Sequence, residues 1–189
     1  NDITDFDYYV FLMSLPNIFK STKNIPPPLN FFQMKSKLMQ KWKLVFQNFK
    51  SEKLKVGLVW QGDHINHRHD SKRSIPLKIL EPILKVKDIK FFSLQKNYGN
   101  EQIKINKFDN LIKNFSNKID KVPFEDTLCI IDNLDLIISV DTSLAHISAT
   151  LGKKTWIMIS KVPDFRWGLE KTSTVWYENV SVYRQKKIN

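Results

Sequence analysis

A short apolar run that leads through a polar turn into a short helix constrains this chain more than any other feature. The run from Leu134 to Val140 is rich in branched aliphatic residues, which is typical of a strand buried in a parallel sheet. Asp141 to Ser143 follow and are residue types that begin helices, because their side-chain oxygens accept bonds from free backbone N–H groups. Gly152 is a typical helix stop. The segment therefore predicts a strand over residues 136–140 and a helix over residues 142–151.

The amino end of this predicted helix is a candidate anion site. A helix N-terminus carries about half a positive charge and several free N–H donors, so a phosphate can bind there without a dedicated cation. The hydroxyls of Thr142 and Ser143 would add donors, and His146 lies one turn further along. The residues alone leave two interpretations open: a capped core helix with a structural histidine, or a helix that binds an anion.

Predicted strands and helices alternate from Leu54 onward. The strands are predicted at residues 55–60, 90–94, 110–115, 136–140, 155–159 and 180–183. The helices are predicted at residues 76–85, 99–105, 123–133 and 142–151. This alternation indicates a parallel sheet with right-handed crossovers. The predicted fold class is α/β, a Rossmann-like parallel sheet flanked by helices.

Candidate ligand-binding residues follow three of the predicted strands. Gly62 closes the first, Gln95 and Lys96 close the second, and Asp141 to Leu144 close the strand at 136–140. Ligands of an open parallel sheet bind beyond the carboxyl ends of its strands, so we expect these residues to converge. An ammonium group at Lys96 would offset negative charge on a ligand bound there. A glycine that only makes a turn and an ordinary exposed lysine are the alternatives that the residues leave open.

Composition argues against several other classes of protein. The five glycines form neither G-x-G-x-x-G nor G-x-x-x-x-G-K-[ST], which disfavours a dinucleotide dehydrogenase and a P-loop nucleotidase. The net charge of +11 comes from scattered lysines with only four arginines, so nucleic-acid binding is not predicted. The single Cys129 is expected to be buried, which indicates a reducing compartment. The chain has no apolar run of 18 residues and no signal segment, so a soluble or peripheral protein is expected.

The loop from Asp63 to Ser74 is rich in histidine. His64, His67 and His69 lie within it. The spacing H-x-x-H-x-H is not one of the structural zinc spacings, and the loop holds no cysteine to help. Neither a metal site nor a cofactor is predicted.

The first fifty residues differ in character from the rest. Pro26 to Pro28 form a stiff extended segment that cannot be helical. Residues 30–49 carry apolar side chains at spacings of three and four, which predicts an amphipathic helix. We interpret residues 1–50 as the tail of a preceding lobe plus a linker helix, and residues 51–189 as a ligand-binding domain. A helix packed on the core of this same domain is the alternative.

Aromatic residues surround Arg166 near the end of the chain. Phe165, Trp167, Trp176 and Tyr177 lie close to it in sequence. Aromatic rings pack against sugar or base faces, but at this density they more often complete the edge of a core. We expect a core edge here, with Arg166 facing the cleft.

Five sequence blocks in register carry a resemblance to a known family. They read VGLVWQG at 56–62, RSIPL at 73–77, FFSLQK at 91–96, SVDTSLAHISATLG at 139–152 and PDFRW at 163–167. The last is followed by WY at 176–177 and YRQ at 183–185. The chain resembles the donor-binding half of GT-B glycosyltransferases of the ADP-heptose:lipopolysaccharide heptosyltransferase type. It is more closely similar to glycosyltransferase domains found behind tetratricopeptide repeats in bacterial proteins.

The resemblance implies roles for residues in these blocks. It places Lys96 on the donor pyrophosphate and Asp141 near the donor sugar and phosphate. It implies a donor-side loop in which His67 matches a family histidine, while Arg73 and Ser74 contact the donor or fix the loop. The predicted donor-binding residues are Gly62, His67, Arg73, Ser74, Gln95, Lys96, Asp141, Thr142, Ser143, Leu144, His146 and Arg166.

The resemblance also implies a function for the whole protein. The chain would be the donor lobe of a metal-independent, hexosyl- or heptosyl-type glycosyltransferase that binds a nucleotide-diphosphate sugar. Lys96 would stabilise the leaving diphosphate, and the general base is expected on the other lobe, so this chain alone should be inactive. The implied partners are an amino-terminal lobe, tetratricopeptide repeats, and an acceptor that is lipopolysaccharide, a glycan or a protein. The implied location is the cytoplasm, including the periphery of the inner membrane. The alternatives are a non-catalytic binding scaffold and a nucleotide-sugar epimerase.

Overall fold

Strands and helices alternate along the part of the chain that the computed structural model describes, residues 6–21, 32–50, 54–62, 73–119, 122–169 and 172–187. The strands are β1 (Leu54–Val59), β2 (Ile89–Ser93), β3 (Ile112–Asn114), β4 (Leu136–Val140), β5 (Thr155–Ile159) and β6 (Val180–Arg184). The α-helices are α1 (Leu15–Ile18), α2 (Ser36–Gln47), α3 (Glu81–Leu84), α4 (Gln102–Ile105), α5 (Glu125–Asp132) and α6 (Ser143–Thr150). Short 3-10 helices cover Leu12–Ser14, Leu77–Leu80, Ser116–Lys118 and Phe165–Trp167.

The described strands form one parallel sheet in the order β3-β2-β1-β4-β5-β6. β1 lies near the centre, where Leu58 pairs with Ser93 of β2 and with Ile138 of β4. The chain runs outward from β1 to β3 and then returns to β4, so the strand order reverses between β1 and β4. This order is that of doubly wound Rossmann-like folds. The predicted α/β, Rossmann-like fold class is confirmed.

Alternate residues of the central strands pack on opposite faces of the sheet, as the two-residue period of a strand requires. On one face, Phe92 and Ile137 pack with residues of α2 and α5. On the other face, Phe91 and Ile138 pack with the leucines of residues 77–84. The sheet is therefore covered by helices on both faces, which explains why its central strands β1 and β4 are largely apolar and buried.

β4 and α6 lie where the sequence predicts them. All five residues of β4 are buried. In α6, Ile147 packs against the first core face, while Ala145 and Ala149 pack toward β5 and β6. Gly152 has a φ of +76°, the left-handed conformation in which glycine commonly ends a helix. The strand, turn and helix of the opening prediction are confirmed.

Helix α2 packs on the core of this domain. Trp42 and Phe46 are its buried residues. The carboxylate of Asp126 in α5 is fully buried and accepts hydrogen bonds from the indole Nε1 of Trp42 and, at 3.0 Å, from Nζ of Lys41. These contacts support the alternative in which the helix belongs to this domain's core. The assignment of residues 1–50 to a preceding lobe and linker stays a prediction.

The other elements differ from the predicted ones mainly in length. α2 begins at Ser36 and is shorter than the predicted helix over residues 30–49. The predicted helix at 76–85 divides into a 3-10 helix and α3, because Pro82 has no backbone N–H to continue the hydrogen-bond pattern. The triple proline at 26–28 lies outside the described residues. In the described ranges, the helices are all too short or too polar to cross a membrane.

Candidate functional site

A cleft of about 460 Å³ opens beyond the carboxyl ends of β1, β2 and β4. This is the edge at which the strand order reverses, the usual ligand site of an open α/β sheet. The lining residues are Val59, Gln61, Gly62, Arg73, Leu94, Gln95, Lys96, Asn97, Tyr98, Phe124, Thr142, Ser143 and Leu144. The predicted residues that share this lining are Gly62, Arg73, Gln95, Lys96 and Thr142 to Leu144.

The described lining of the cleft is positively charged. Arg73 and Lys96 contribute cationic side chains, and none of the described lining residues is acidic. The amino end of α6 adds the partial positive charge of a helix terminus through Thr142, Ser143 and Leu144. This arrangement favours an anionic ligand.

Helix α6 presents an uncapped amino end to the cleft. Thr142 is the N-cap residue by its backbone conformation, yet no side chain in the described ranges caps the helix there. The Thr142 hydroxyl instead lies 3.2 Å from the hydroxyl of Ser139 in β4. The prediction that the polar turn caps its own helix is therefore wrong. Because the first N–H groups of a helix have no partner within the helix, an anion in the cleft can supply their acceptor.

Arg73 and Ser74 connect the ends of β1 and β4. The Ser74 hydroxyl accepts a hydrogen bond from the backbone N–H of Gly62 at 3.1 Å. Nη1 of Arg73 donates to the backbone carbonyl of Asp141 at 3.2 Å. Ser74 does not line the cleft, so its visible contact holds Gly62 in place. Arg73 both lines the cleft and holds the turn that precedes α6.

The side chain of Gln95 reaches the cleft lining but is directed at backbone groups. Its Oε1 accepts hydrogen bonds from the backbone N–H groups of Trp60 at 3.2 Å and Gln61 at 3.1 Å. Its Nε2 donates to the carbonyls of Gln61 at 2.9 Å and Tyr98 at 2.8 Å. A primary amide has two donors and two acceptor positions, and the protein occupies them all. These bonds differ from the predicted direct contact with a donor.

Asp141, His146 and Arg166 form a second polar group at the start of α6, outside the cleft lining. The carboxylate of Asp141 lies 3.7 Å from Nη2 of Arg166 and 3.8 Å from Nε2 of His146. Nδ1 of His146 is 3.0 Å from the Tyr177 hydroxyl, and its ring stacks on Trp167 with centroids 5.2 Å apart. Burial, and then the positive charge of Arg166, lower the pKa of His146 below its ordinary value. The histidine is therefore neutral near pH 7.

The aromatic cluster near Arg166 is only partly a core edge. Trp167 is buried and Tyr177 packs against the same cluster, as predicted, but Phe165 is 69% exposed. The guanidinium of Arg166 also donates from Nε to Asp164 at 2.8 Å. Arg166 thus lies between two carboxylates, those of Asp164 and Asp141, rather than in the cleft lining.

His67 and its neighbours His64 and His69 lie outside the described residues, so the histidine loop stays a prediction. Among the residues that the structure describes, no three His, Cys, Asp or Glu side chains are grouped so that they could hold a metal ion.

The structure adds Gln61, Tyr98 and Phe124 to the predicted lining. Phe124 immediately precedes α5 and has a φ of 69°, an uncommon backbone conformation for a residue other than glycine. Its side chain is 40% exposed. No periodic pattern marks these positions in the sequence, since each lies in a turn between elements. Only their nearness to the ends of β1 and β2, or to the start of α5, could have suggested them.

The sheet order defines a Rossmann-like domain, and the cleft at the point where the order reverses is its candidate ligand site. Comparison with solved structures shows which known proteins share this fold. ADP-heptose lipopolysaccharide heptosyltransferase II of E. coli matches with a TM-score of 0.53 and 12% identity, over 80% of this chain and 44% of that one. The E. coli heptosyltransferase WaaC with ADP matches with a TM-score of 0.53 and 14% identity, over 71% of this chain and 39% of that one. A family 9 glycosyl transferase from Veillonella parvula matches with a TM-score of 0.59 and 8% identity, over 89% and 47%.

These comparisons establish a similarity of fold. The chain has a fold like that of one lobe of GT-B, heptosyltransferase-like structures and spans less than half the length of these solved proteins. A scan against protein-family models gives no match, and a search of the curated proteins gives none either. The resemblance to GT-B heptosyltransferases is confirmed at the level of fold. An association with tetratricopeptide repeats stays a prediction.

Proposed function

We propose that this chain is the donor-binding lobe of a glycosyltransferase and binds a nucleotide-diphosphate sugar. The observation that carries the proposal is the charge of the cleft, in which Arg73, Lys96 and the amino end of α6 meet without an acidic residue in the described lining. A diphosphate is a compact dianion or trianion at neutral pH and suits such a site. The fold supports the same proposal, since the similar structures are glycosyltransferases.

The proposed chemistry is the transfer of the sugar to an acceptor. The acceptor attacks the anomeric carbon, a glycosidic bond forms, and the bond from that carbon to the diphosphate oxygen breaks with its electron pair leaving on the nucleoside diphosphate. The acceptor's proton passes to a base that we place outside this chain. Negative charge grows on the departing diphosphate, and Lys96 with the α6 terminus stabilises it in the transition state. These cationic groups supply the role that a metal ion would otherwise take, which supports metal-independent transfer.

The group of Asp141, His146 and Arg166 supports a second part of the proposal. Asp141 precedes the residues that line the cleft, and its carboxylate is oriented toward Arg166 and His146. We propose that Asp141 binds a hydroxyl group of the donor sugar rather than the phosphates, because a carboxylate repels a phosphate, and that His146 lies behind Asp141 and orients it. His67 and Ser74 complete the proposed donor side, as the family resemblance implies. The acceptor, an amino-terminal lobe, tetratricopeptide repeats and a cytoplasmic location stay predictions.

A thermal-shift panel tests donor binding directly. ADP, UDP, GDP and their sugars are added to the wild type, to Lys96→Ala and to Lys87→Ala. Lys87 is an exposed lysine just before β2, at the opposite edge of the sheet, and is the matched control. A ligand at about 100 times its Kd stabilises the folded state by about 2.7 kcal/mol. For a chain of this size, that raises Tm by roughly 5–10 °C.

We expect one nucleoside diphosphate to give this shift in the wild type and in Lys87→Ala. Lys96→Ala should lose most of it, because the diphosphate loses a direct cationic contact. A shift that survives in Lys96→Ala would separate nucleotide binding from the proposed cleft. The absence of any shift with all six ligands would instead support a non-catalytic scaffold.

A further inference from the structure

The amide of Gln95 joins two segments of the cleft wall that come from different strands. Trp60 and Gln61 follow β1, whereas Tyr98 belongs to the turn that follows β2. Gln95 is only 5% exposed and bonds to backbone groups of both segments. A buried amide is costly unless its polar atoms are all paired. Here the complete pairing makes the amide a rigid connection between the two segments.

Lys96 lies inside the loop that this connection closes. The bond from Nε2 of Gln95 to the Tyr98 carbonyl spans residues 95–98. The loop turns back on itself because Asn97 has a φ of 62° and Gly99 has a φ of 85°. Glycine adopts a positive φ freely, whereas at Asn97 this conformation is stabilised by the surrounding structure. The bond between Gln95 and the Tyr98 carbonyl therefore closes the short loop that carries Lys96.

A second set of contacts supports the same walls. The indole Nε1 of Trp60 donates to the Gly99 carbonyl at 3.2 Å, and Nε2 of Gln102 donates to Oε1 of Gln61 at 2.8 Å. A Cβ atom on Gly99 would lie 2.6 Å from Oε1 of Gln61, so a larger residue would have to displace the Gln61 side chain. The segments that follow β1 and β2 are thus in direct contact with each other.

We propose that Gln95 is a positioning residue, which holds residues 60–62 and 96–98 in the geometry that the cleft needs to bind a diphosphate. The identity of the ligand in this inference, a diphosphate, rests on the proposed function. It replaces the predicted direct contact of Gln95 with the donor, because all donors and acceptors of its amide are already bonded within the protein. Gln95 acts on the ligand through Lys96 and through the backbone at Gln61 and Gly62.

Asn179 offers a matched control for the structural contribution of such an amide. Its Nδ2 donates to the carbonyls of Ala149 at 3.0 Å and Lys153 at 2.7 Å. It lies just before β6, at the edge of the sheet opposite the cleft. Asn179→Leu removes backbone contacts as Gln95→Met does, but at a distance from the cleft.

Calorimetric titration with ADP, UDP and GDP measures the effect on binding, at a temperature at which all variants are folded. For the nucleotide that the wild type binds, we expect Gln95→Met to weaken binding, raising Kd by about 10- to 100-fold, since the loss of a charge-assisted contact such as that of Lys96 costs about that much. Asn179→Leu should stay within about twofold of the wild type, because distant sites act independently. In a Lys96→Ala background, Gln95→Met should cause a smaller further loss than in the wild type, because the part of its effect that passes through Lys96 is already gone.

Hydrogen exchange of the ligand-free proteins provides a second measurement. Gln95→Met should accelerate exchange at residues 60–61 and 97–102, whereas Asn179→Leu should not. Gln95→Glu keeps an acceptor for Trp60 and Gln61 but has no donor for Tyr98 when ionised. It should therefore accelerate exchange at 97–102 more than at 60–61. Gln95→Glu also serves as the test variant if Gln95→Met does not fold.

The results separate this inference from the proposed function. A Kd for Gln95→Met equal to that of the wild type, or an equal loss in Asn179→Leu, would overturn the positioning role. If the wild type binds none of the three nucleotides, the proposed function fails. Hydrogen exchange then tests the structural role of Gln95 by itself. Unchanged exchange in Gln95→Met would show that Gln95 does not hold the two segments.

Discussion

Replacing Asp126 with alanine should destabilise the domain by about 3 kcal/mol. Asp126 is fully buried between α5 and α2, and its Oδ1 accepts a hydrogen bond from the indole of Trp42, which is also fully buried. Removing the acceptor leaves the Trp42 N–H buried without a partner, which costs about 1–3 kcal/mol. The lost bond was charge-assisted, and such bonds contribute about 1.5–3 kcal/mol. The ion pair with Lys41 adds little, because the Lys41 side chain is 41% exposed and solvent screens it.

Urea denaturation with and without a second substitution measures this cost. In the wild-type background, a loss of about 3 kcal/mol corresponds to a decrease in Tm of roughly 6–12 °C for a chain of this size. Trp42→Phe keeps an aromatic ring in α2 but removes the indole donor. In that background Asp126→Ala should cost at least about 1 kcal/mol less, because no indole N–H is left unpaired.

The matched control is Lys41→Met, which keeps the apolar stem and removes the exposed charge. It should change the free energy of unfolding by less than about 1 kcal/mol. The reasoning fails if Asp126→Ala costs less than about 1 kcal/mol, or if its cost is the same with Trp42 and with Phe at that position. Either result would show that the buried hydrogen bond does not fasten α2 to α5.

Three further predictions concern single residues. Gly57→Val should destabilise the fold by about 1–3 kcal/mol in urea denaturation, because even a Cβ at Gly57 would lie 2.8 Å from Cδ1 of Leu94 and of Leu134. Tm should fall as pH decreases through about 6.5 toward the lower folded-state pKa of His146, because the unfolded state then binds more protons. His146→Gln should reduce this slope between pH 8 and 5, and an unchanged slope would contradict the assignment. Burial raises the pKa of the Cys129 thiol, so a thiol reagent at pH 8 should label it only after denaturation, and rapid labelling of the native protein would contradict its burial.

The sheet was predictable because its strands carry their own signals. β4 is an apolar run of strand length bounded by polar residues, and its predicted bounds match the observed Leu136–Val140. The amino end of α6 was equally recognisable from residue types. The sequence could not show that this helix end is uncapped. The Thr142 hydroxyl bonds to Ser139 in β4 instead, and a residue's propensity to cap a helix does not reveal such a competing partner.

The cleft was predictable only in outline. Residues directly after strands, such as Gly62 and Lys96, follow from the rule that parallel strands end at one edge. The role of Gln95 did not follow, since residue type cannot distinguish an amide that binds a ligand from one that binds backbone groups. Phe124 was missed for a similar reason, because its place in the cleft depends on a left-handed turn before α5 that no local pattern announces.

The position of β1 near the centre of the sheet has a consequence for how the protein must assemble. The cleft takes one wall from the outward run β1 to β3 and its helix terminus from the return run that begins with β4. Neither run contains a complete binding surface. The complete cleft can therefore form only after both runs have joined along β1 and β4, so the proposed nucleotide binding would report complete assembly of the sheet.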